Sequence, residues 1–421
     1  MNFREIYEQE LRNGRHAPPM LEQGSCRSAR GTLCTLCHAS RISYADECVV
    51  KQRALRRLWE RFADGRVLRP LATSPQGRDY RVVSKRKVEQ RREGFSMGLI
   101  DAQAREILPV QRCAIEAPMH ALLYERIEIL LRHRAAAPLV GVLRYVVLKG
   151  DARQVAVLFT IAELSPRTIK AANTLSKLLT RDHPEVQGVF LYEDSSGDRY
   201  YMGRGSASRP AQLRRLFGQR EVSAQVGDLR FVYDVLAFTQ VNLSVLPVFL
   251  GSVRTLLREA RGEQPGARGT LYDLYSGYGL FSIGLHEDFL AVRGAELSQP
   301  AVASAISNAK RMQLRHLRFH TLDLNADAVF RFIPFCGADD VVLLDPPRGG
   351  CDEGVLAAVA ARNPAHVLHV FCNLDLLERD LNEWKQLGYD IRAAVPVDNF
   401  PGTDHVEMLV LLAPHTRSRG E

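Results

Sequence analysis

Three stretches of this 421-residue chain hold residue types that could do chemistry. The apolar run Val367, Leu368, Val370 and Phe371 ends on Cys372-Asn373 and is followed by a helical pattern. That is the layout of a strand delivering a thiol to a sheet edge, and in open α/β sheets ligands bind outside the carboxyl ends of the parallel strands. A cysteine taken alone is more often a buried structural residue, so its company decides the reading. Upstream, the strand-like Val341–Leu344 runs into Asp345-Pro346-Pro347-Arg348-Gly349-Gly350. Two prolines cannot continue a ladder and they stiffen the loop, which would hold the Asp345 carboxylate and the Arg348 guanidinium at the same edge. Near the start, Cys26, Cys34 and Cys37 follow a C-x7-C-x2-C spacing in a segment short of core residues, the pattern of a metal site. A fourth thiolate could come from Cys48 or Cys113, and the arm suits either tetrahedral zinc or an iron–sulfur cluster.

The elements that would position these residues follow from pattern. From residue 270 onward the chain reads as strand-loop-helix repeats, which predicts strands over 271–275, 289–295, 317–322, 341–344, 366–371, 391–397 and 405–412. The first strand leads into the tight turn Ser276-Gly277-Tyr278-Gly279 before a helical segment. Glu296 follows the second strand, where an acidic residue binds ribose hydroxyls in nucleotide-type sites, and Asp323 follows the third, placed for the adenosine part of a ligand. No third glycine and no G-x-x-x-x-G-K motif is present, so a ligand without phosphates is expected, and S-adenosylmethionine fits that description.

Residues 138–235 alternate short β-rich runs with one helical segment at 166–179, the signature of a small α+β unit. Between residues 46 and 61 the apolar positions Val49, Val50, Leu55, Leu58 and Trp59 predict an amphipathic helix whose other face carries Lys51, Arg53, Arg56 and Arg57. Residues 78–92 hold Arg78, Arg81, Lys85, Arg86, Lys87, Arg91 and Arg92 around Tyr80, a run that could track phosphates. The first ~25 residues, polar and carrying Pro18-Pro19, read as a loosely held extension.

Composition agrees with a folded, nucleic-acid-facing chain. Hydrophobic residues make up 46%, net charge is +8 and the pI is near 9.1, which favours a polyanionic partner such as RNA. The charged start and the lack of any apolar run of ~18 residues point away from a signal peptide or a membrane span, and a cytoplasmic place is expected. No obligate protein partner is evident.

Taken together, the motifs resemble those of the S-adenosylmethionine-dependent RNA uracil-5-methyltransferases that act on tRNA or 23S rRNA. Residues 273–279 resemble the cofactor loop, Phe238-Thr239-Gln240-Val241-Asn242 the F-x-Q-x-N motif, and Asp345-Pro346-Pro347-Arg348-x-Gly350 the D-P-P-R-x-G motif. Cys372-Asn373 resembles the nucleophile motif, and Phe400-Pro401 with His405-Val406-Glu407 the F-P-x-T-x-H-x-E segment. The cysteine spacing, with Cys113 in its Gln-x-Cys context, resembles the iron–sulfur 23S rRNA subgroup, which implies a 4Fe-4S cluster on Cys26, Cys34, Cys37 and Cys113.

The resemblance implies an α/β fold: a Rossmann-like methyltransferase domain over 236–414, a smaller α+β middle domain over 138–235 and an N-terminal cluster and RNA-contact region over 1–137. It implies Gln240, Tyr275, Gly277, Leu280, Glu296, Asp323 and Asp345 as cofactor contacts, with methylation of carbon 5 of a uridine in 23S rRNA as the activity and a tRNA as the alternative substrate. Chemistry agrees with it. Carbon 5 of uracil is a poor nucleophile, so a thiolate must first add to carbon 6, and Cys372 is the cysteine placed to do so. The proton left on carbon 5 then needs a general base, for which Glu407 is the choice. Three residues depart from the family pattern: Phe371 and Leu374 flank the nucleophile motif, and Leu280 stands where an asparagine often contacts the cofactor. An exocyclic-amine methyltransferase, which needs no cysteine and places an aromatic residue where Arg348 stands, and a catalytically inactive RNA-binding protein are the rival readings.

Overall fold

The computed structural model describes residues 1–28, 31–62, 65–101, 106–194, 205–206, 209–262 and 268–415. A seven-stranded sheet near the C-terminus has the spatial order 317–321, 291–296, 270–274, 341–344, 366–371, 407–414, 389–397. All of these strands run parallel except Glu407–Pro414, which is antiparallel to both of its neighbours. The strand Val341–Leu344 is buried throughout, as expected for a central parallel strand covered on both faces. Its residues alternate between two cores. Val341 and Leu343 pack with Phe249, Val253 and Phe281 on one side. Val342 and Leu344 pack with Leu55, Trp59 and Trp384 on the other.

The second core is completed by the start of the chain, which is not a loose extension. Helix Phe3–Asn13 is capped by a reciprocal Asn2–Glu5 box and buries Phe3, Ile6 and Tyr7. It lies against helix Tyr44–Trp59, whose Ser43 cap accepts from the Asp46 amide and whose acidic first turn and basic last turn both suit the helix dipole. On this helix two expectations fail. Val49 faces solvent, and Lys51 is fully buried between carboxylates instead of standing on the basic face with the exposed Arg53, Arg56 and Arg57.

A second seven-stranded sheet has the order 106–108, 94–101, 83–91, 143–150, 155–161, 186–193, 212–218. Helices Pro118–Arg132 and Pro166–Asp182 cover one of its faces through Leu123, Ile127, Ala172 and Leu175. The other face joins the core of the first, mostly parallel sheet through Tyr145, Val147, Leu158 and Phe190. A boundary after residue 137 falls inside this layer, because the strands Val83–Arg91, Gly94–Asp101 and Glu106–Leu108 belong to the same sheet as those that follow.

The basic run within it is split by strand periodicity. Successive side chains of a strand point to opposite faces. Lys85 is therefore exposed, while Arg86 is buried in a two-pronged ion pair with Glu116, both contacts at 2.6 Å, and lies 4.3 Å from the Tyr124 ring. Arg86 belongs to the core and cannot track phosphates.

Removing one partner of a buried ion pair leaves the other charge uncompensated. Arg86→Ala should therefore lower unfolding free energy by ~3–5 kcal/mol in a urea titration. Arg91→Ala, which breaks only the exposed pair with Glu89, should change it by less than ~1 kcal/mol.

Candidate active site

Four adjacent strands bring the predicted residues to one edge of the sheet. Tyr275 follows strand Thr270–Leu274, Asp345 follows Val341–Leu344 and Cys372 follows His366–Phe371. Glu407 opens the antiparallel strand. Phe371 faces Met408 in that register, so one further step sets Cys372 opposite Glu407. Neighbouring strands lie ~4.8 Å apart, which makes Asp345, Cys372 and Glu407 near neighbours, with Tyr275 one strand beyond Asp345.

The proline loop is tied to the thiol. The Pro346 carbonyl accepts from Cys372 Sγ at 3.6 Å, and the Arg348 carbonyl accepts from Asn373 Nδ2 at 3.3 Å. Burial pushes the Cys372 thiol up to about 12, and the Glu407 and Asp345 carboxylates add to the shift while Arg348 opposes it. Glu407 is raised to about 7 by burial, against a hydrogen bond from Asn399 and the Arg348 charge. Asp345 is pushed well above the carboxylate range by burial and by the negative charges of Glu407, Asp273 and Glu296. The edge is therefore a protonated thiol among acids that titrate late, with one guanidinium beside them.

The glycine turn lies next to this group. Tyr275 and Gly277 both have positive φ, and a side chain on Gly277 would meet nothing within 4 Å, so the turn leaves open space. Glu296 reaches back to it, accepting from the Gly277 amide at 3.2 Å and the Ser298 amide at 2.6 Å. Asp273 is buried beneath, holding the amide and hydroxyl of Ser282 and so fixing where the following helix begins. Asp323 is exposed beyond the third strand, close enough to influence the Tyr275 hydroxyl. Leu280 is different: its side chain belongs to the core with Tyr278 and Phe281. Phe371 and Leu374, the departures beside Cys372, are also core residues, so those differences alter packing beneath the site.

Gln240 comes to the site through a residue that sequence reasoning missed. Asn399 donates to the Gln240 carbonyl at 3.0 Å and lies just past Val397, which pairs with Glu407. Asn242 in turn donates to Ser74 at 3.0 Å and to the Asn399 carbonyl at 3.4 Å. The available signal was Asp398-Asn399, a polar pair directly after an apolar strand and directly before Phe400-Pro401.

The four cysteines Cys26, Cys34, Cys37 and Cys113 line one cavity of about 500 Å³, with Lys85, Lys87 and Thr403 also in its wall. Short main-chain bridges from residues 25–28 to 110–112 bring Cys113 to the other three, and the Cys34 amide donates to the Cys26 carbonyl at 2.6 Å. Cys48 is not in that wall; it lies on helix Tyr44–Trp59. Among the described residues, no group of three or more His, Cys, Asp or Glu side chains is gathered closely enough to hold a single metal ion. The four cysteines share a cavity wall, and among the described residues they do not form a converged metal-ligand set.

Comparison with known proteins bears on the C-terminal half. Residues 213–415 match the family model described as tRNA (Uracil-5-)-methyltransferase. That span contains every motif from Gln240 to Glu407 and none of the four cysteines. An uncharacterized RNA methyltransferase of Geobacter sulfurreducens is 29% identical over 406 residues, covering 93% of this chain and 77% of that protein. The tRNA (uracil(54)-C(5))-methyltransferase of Schizosaccharomyces pombe is 33% identical over 196 residues, 45% of this chain and 37% of its own length. In fold, the chain is similar to the Pyrococcus abyssi tRNA (uracil-54, C5)-methyltransferase, solved with S-adenosyl-L-homocysteine, at a TM-score of 0.66 and 20% identity over 88% of this chain and 84% of that one. The Pyrococcus abyssi likeness shows a Rossmann-like α/β fold, and the sequence matches are to RNA methyltransferases, with residues 213–415 similar to the uracil-5-methyltransferases among them. Among the described residues no helix is long and apolar enough to cross a membrane.

A thiol at about 12 is alkylated slowly, because only the thiolate reacts. In the free protein, Cys372 should react with iodoacetamide about tenfold faster for each unit of pH rise between 7 and 9. Asp345→Asn should speed the reaction at fixed pH, as read by mass spectrometry of the Cys372 peptide.

Proposed function

We propose that the chain methylates carbon 5 of a uridine in 23S rRNA, with Cys372 as nucleophile and Glu407 as general base. The observation that carries the reading is the placement of these two residues opposite one another on neighbouring strands, beside the Asp345 loop and the glycine turn. Cys372 gives up its thiol proton to solvent and the resulting thiolate adds to carbon 6 of the uracil, which makes carbon 5 an enolate-like centre. Bound S-adenosylmethionine supplies the electrophilic methyl group. Glu407 then takes the proton from carbon 5, the electron pair restores the carbon 5–carbon 6 double bond, and the bond to Cys372 breaks. A carboxyl group near 7 suits this task, since it can accept a proton at neutral pH and pass it on. A base stacked in a duplex cannot reach a sheet edge, so the target uridine is flipped out or lies in a loop.

Gln240, Tyr275, Gly277, Glu296, Asp323 and Asp345 are the proposed cofactor contacts, and the open space above Gly277 supports that assignment. Leu280 can contribute only its main chain. The division of labour follows the sequence: residues 236–414 carry the chemistry, and the N-terminal region with the 138–235 segment contacts RNA.

For the cysteines, the proposed occupant is a 4Fe-4S cluster. Four thiols spread around a cavity fit a group whose ligands attach at separate corners better than a single zinc ion, which needs them at one point. A tRNA substrate is favoured instead by the names of the S. pombe and P. abyssi relatives. Mass spectrometry of RNA from cells lacking the protein distinguishes the two. Loss of 5-methyluridine from 23S rRNA supports the proposal, loss from tRNA replaces it, and no loss from either favours the inactive RNA-binding alternative.

Glu407→Gln should still add to RNA and accept the methyl group yet fail to release it, leaving a methylated covalent complex that survives denaturant on a gel. Cys372→Ala should form none. For the wild type, release should quicken as pH rises toward about 7, where Glu407 becomes the carboxylate, and level off above. Free turnover by Glu407→Gln would refute its role. Protein purified without oxygen should be brown, with broad absorption near ~400 nm that Cys48→Ser leaves intact; zinc in stoichiometric amount without iron would overturn the cluster assignment.

A further inference from the structure

Helix Tyr44–Trp59 and loop 398–403 are joined by charges that the mechanism above does not use. Lys51 is fully buried, with Nζ at 2.8 Å from Glu47 and 2.9 Å from Asp398, and it donates to the Phe400 carbonyl at 3.3 Å. Glu47, equally buried, accepts from the Gly402 amide at 2.6 Å and from Arg78 at 3.1 Å. The Tyr80 hydroxyl donates to the Pro401 carbonyl at 2.9 Å. His38, next to Cys37, donates its amide to the Gly402 carbonyl at 2.7 Å. Gly402 has φ +83 and lies so close to Ala39 and Ile115 that an added Cβ would meet both at 3.0 Å. Almost every main-chain group of residues 400–402 is thereby held from outside the loop.

The position of this loop matters because Asn399 is part of it. Asn399 donates to Gln240, Val397 just before the loop pairs with Glu407, and Glu407 begins the strand to which the loop leads. Two carboxylates, an ammonium and a guanidinium buried together are costly to assemble unless each is satisfied, and a shared Lys51 satisfies both acids at once. A buried network of this kind fixes one geometry, where an apolar contact would allow several.

We propose that Lys51, clamped between Glu47 and Asp398, is a positioning residue for the general base: it locks loop 398–403, and with it Val397 and the start of the strand paired to it, so that Glu407 is held at carbon 5 of the bound uridine. The inference rests on the reading of Glu407 as the base. It predicts that proton removal slows more than addition to carbon 6, because the clamped loop leads into Glu407 while Cys372 and the glycine turn lie on other elements.

The test compares full-length wild type and Lys51→Met on two in vitro transcribed 23S rRNA probes, one with uridine and one with 5-fluorouridine, whose carbon 5 has no proton to lose. With the fluorinated RNA, covalent complex should form within about twofold of the wild-type rate, since addition and methyl transfer do not need the base. With ordinary RNA, release should slow by at least ~10-fold, because small misplacements of a catalytic group are expensive in rate. Lys51→Met leaves two buried acids with one fewer cation, so Glu47→Gln, Lys51→Met and Asp398→Asn are also combined in one chain; this variant leaves Arg78 as the one member of the cluster to lose its acid, and it decides the matter if the single one fails to fold. Release by a folded variant at the wild-type rate overturns the inference, and so does an equal slowing of both probes, which would mark a merely structural role. Glu407→Gln run alongside separates the two failures. If it stalls while the Lys51 variants release normally, only the clamp is refuted; if it releases freely, the base assignment is what fails.

Discussion

The site depends on one register, the antiparallel pairing of Glu407–Pro414 with His366–Phe371. A slip of one residue in a strand turns every side chain to the opposite face. Here that slip would take Glu407 away from Cys372. Hydrophobicity alone guards weakly against it, because both faces of the strand are apolar: Leu409 and Leu411 enter one core, Met408, Val410 and Leu412 the other. The register is pinned instead at its beginning. Loop 398–403 is held by buried charges and main-chain hydrogen bonds, and the strand can start at only one place once that loop is fixed.

This gives the N-terminal region a physical role apart from any contact with RNA. Its two helices close the second core over Val342, Leu344 and Phe371, and the same helix that supplies Leu55 and Trp59 supplies Glu47 and Lys51. The cysteine cavity shares this connection. Ala39 and Ile115, close in sequence to Cys37 and Cys113, pack against Gly402, and Thr403 lines the cavity wall. The cysteines are far in sequence from Glu407 and are adjacent in space to the loop that positions it.

The electrostatics of the edge follow from its burial. Glu296 adds to the rise of Asp273, Glu407, Asp273 and Glu296 to that of Asp345, and Glu407 and Asp345 to that of the Cys372 thiol, so the edge disfavours a further negative charge. Such a setting selects a cationic or neutral ligand over an anionic one. The absence of a phosphate-cradling glycine motif in the sequence points the same way.

The sequence by itself determined the repeating strand-loop-helix order after residue 270, the thiol at the end of His366–Phe371 and the stiff loop beside it. These are local signals, since the period of two, the glycine turn and the proline pair each act within a few residues. The same local logic failed where side chains answer to distant partners. Lys51 reads as one more cation on a basic helix, and only Asp398, hundreds of residues away, makes it a buried one. Arg86 reads as part of a basic run, and the strand's alternation directs it inward to Glu116. Phe3, Ile6 and Tyr7 look like the start of a loose tail until helix Tyr44–Trp59 offers them a surface. Tertiary structure alone decided these, because the free energy of a buried charge or an apolar face is set by what covers it, and nothing in the neighbouring sequence states what that will be.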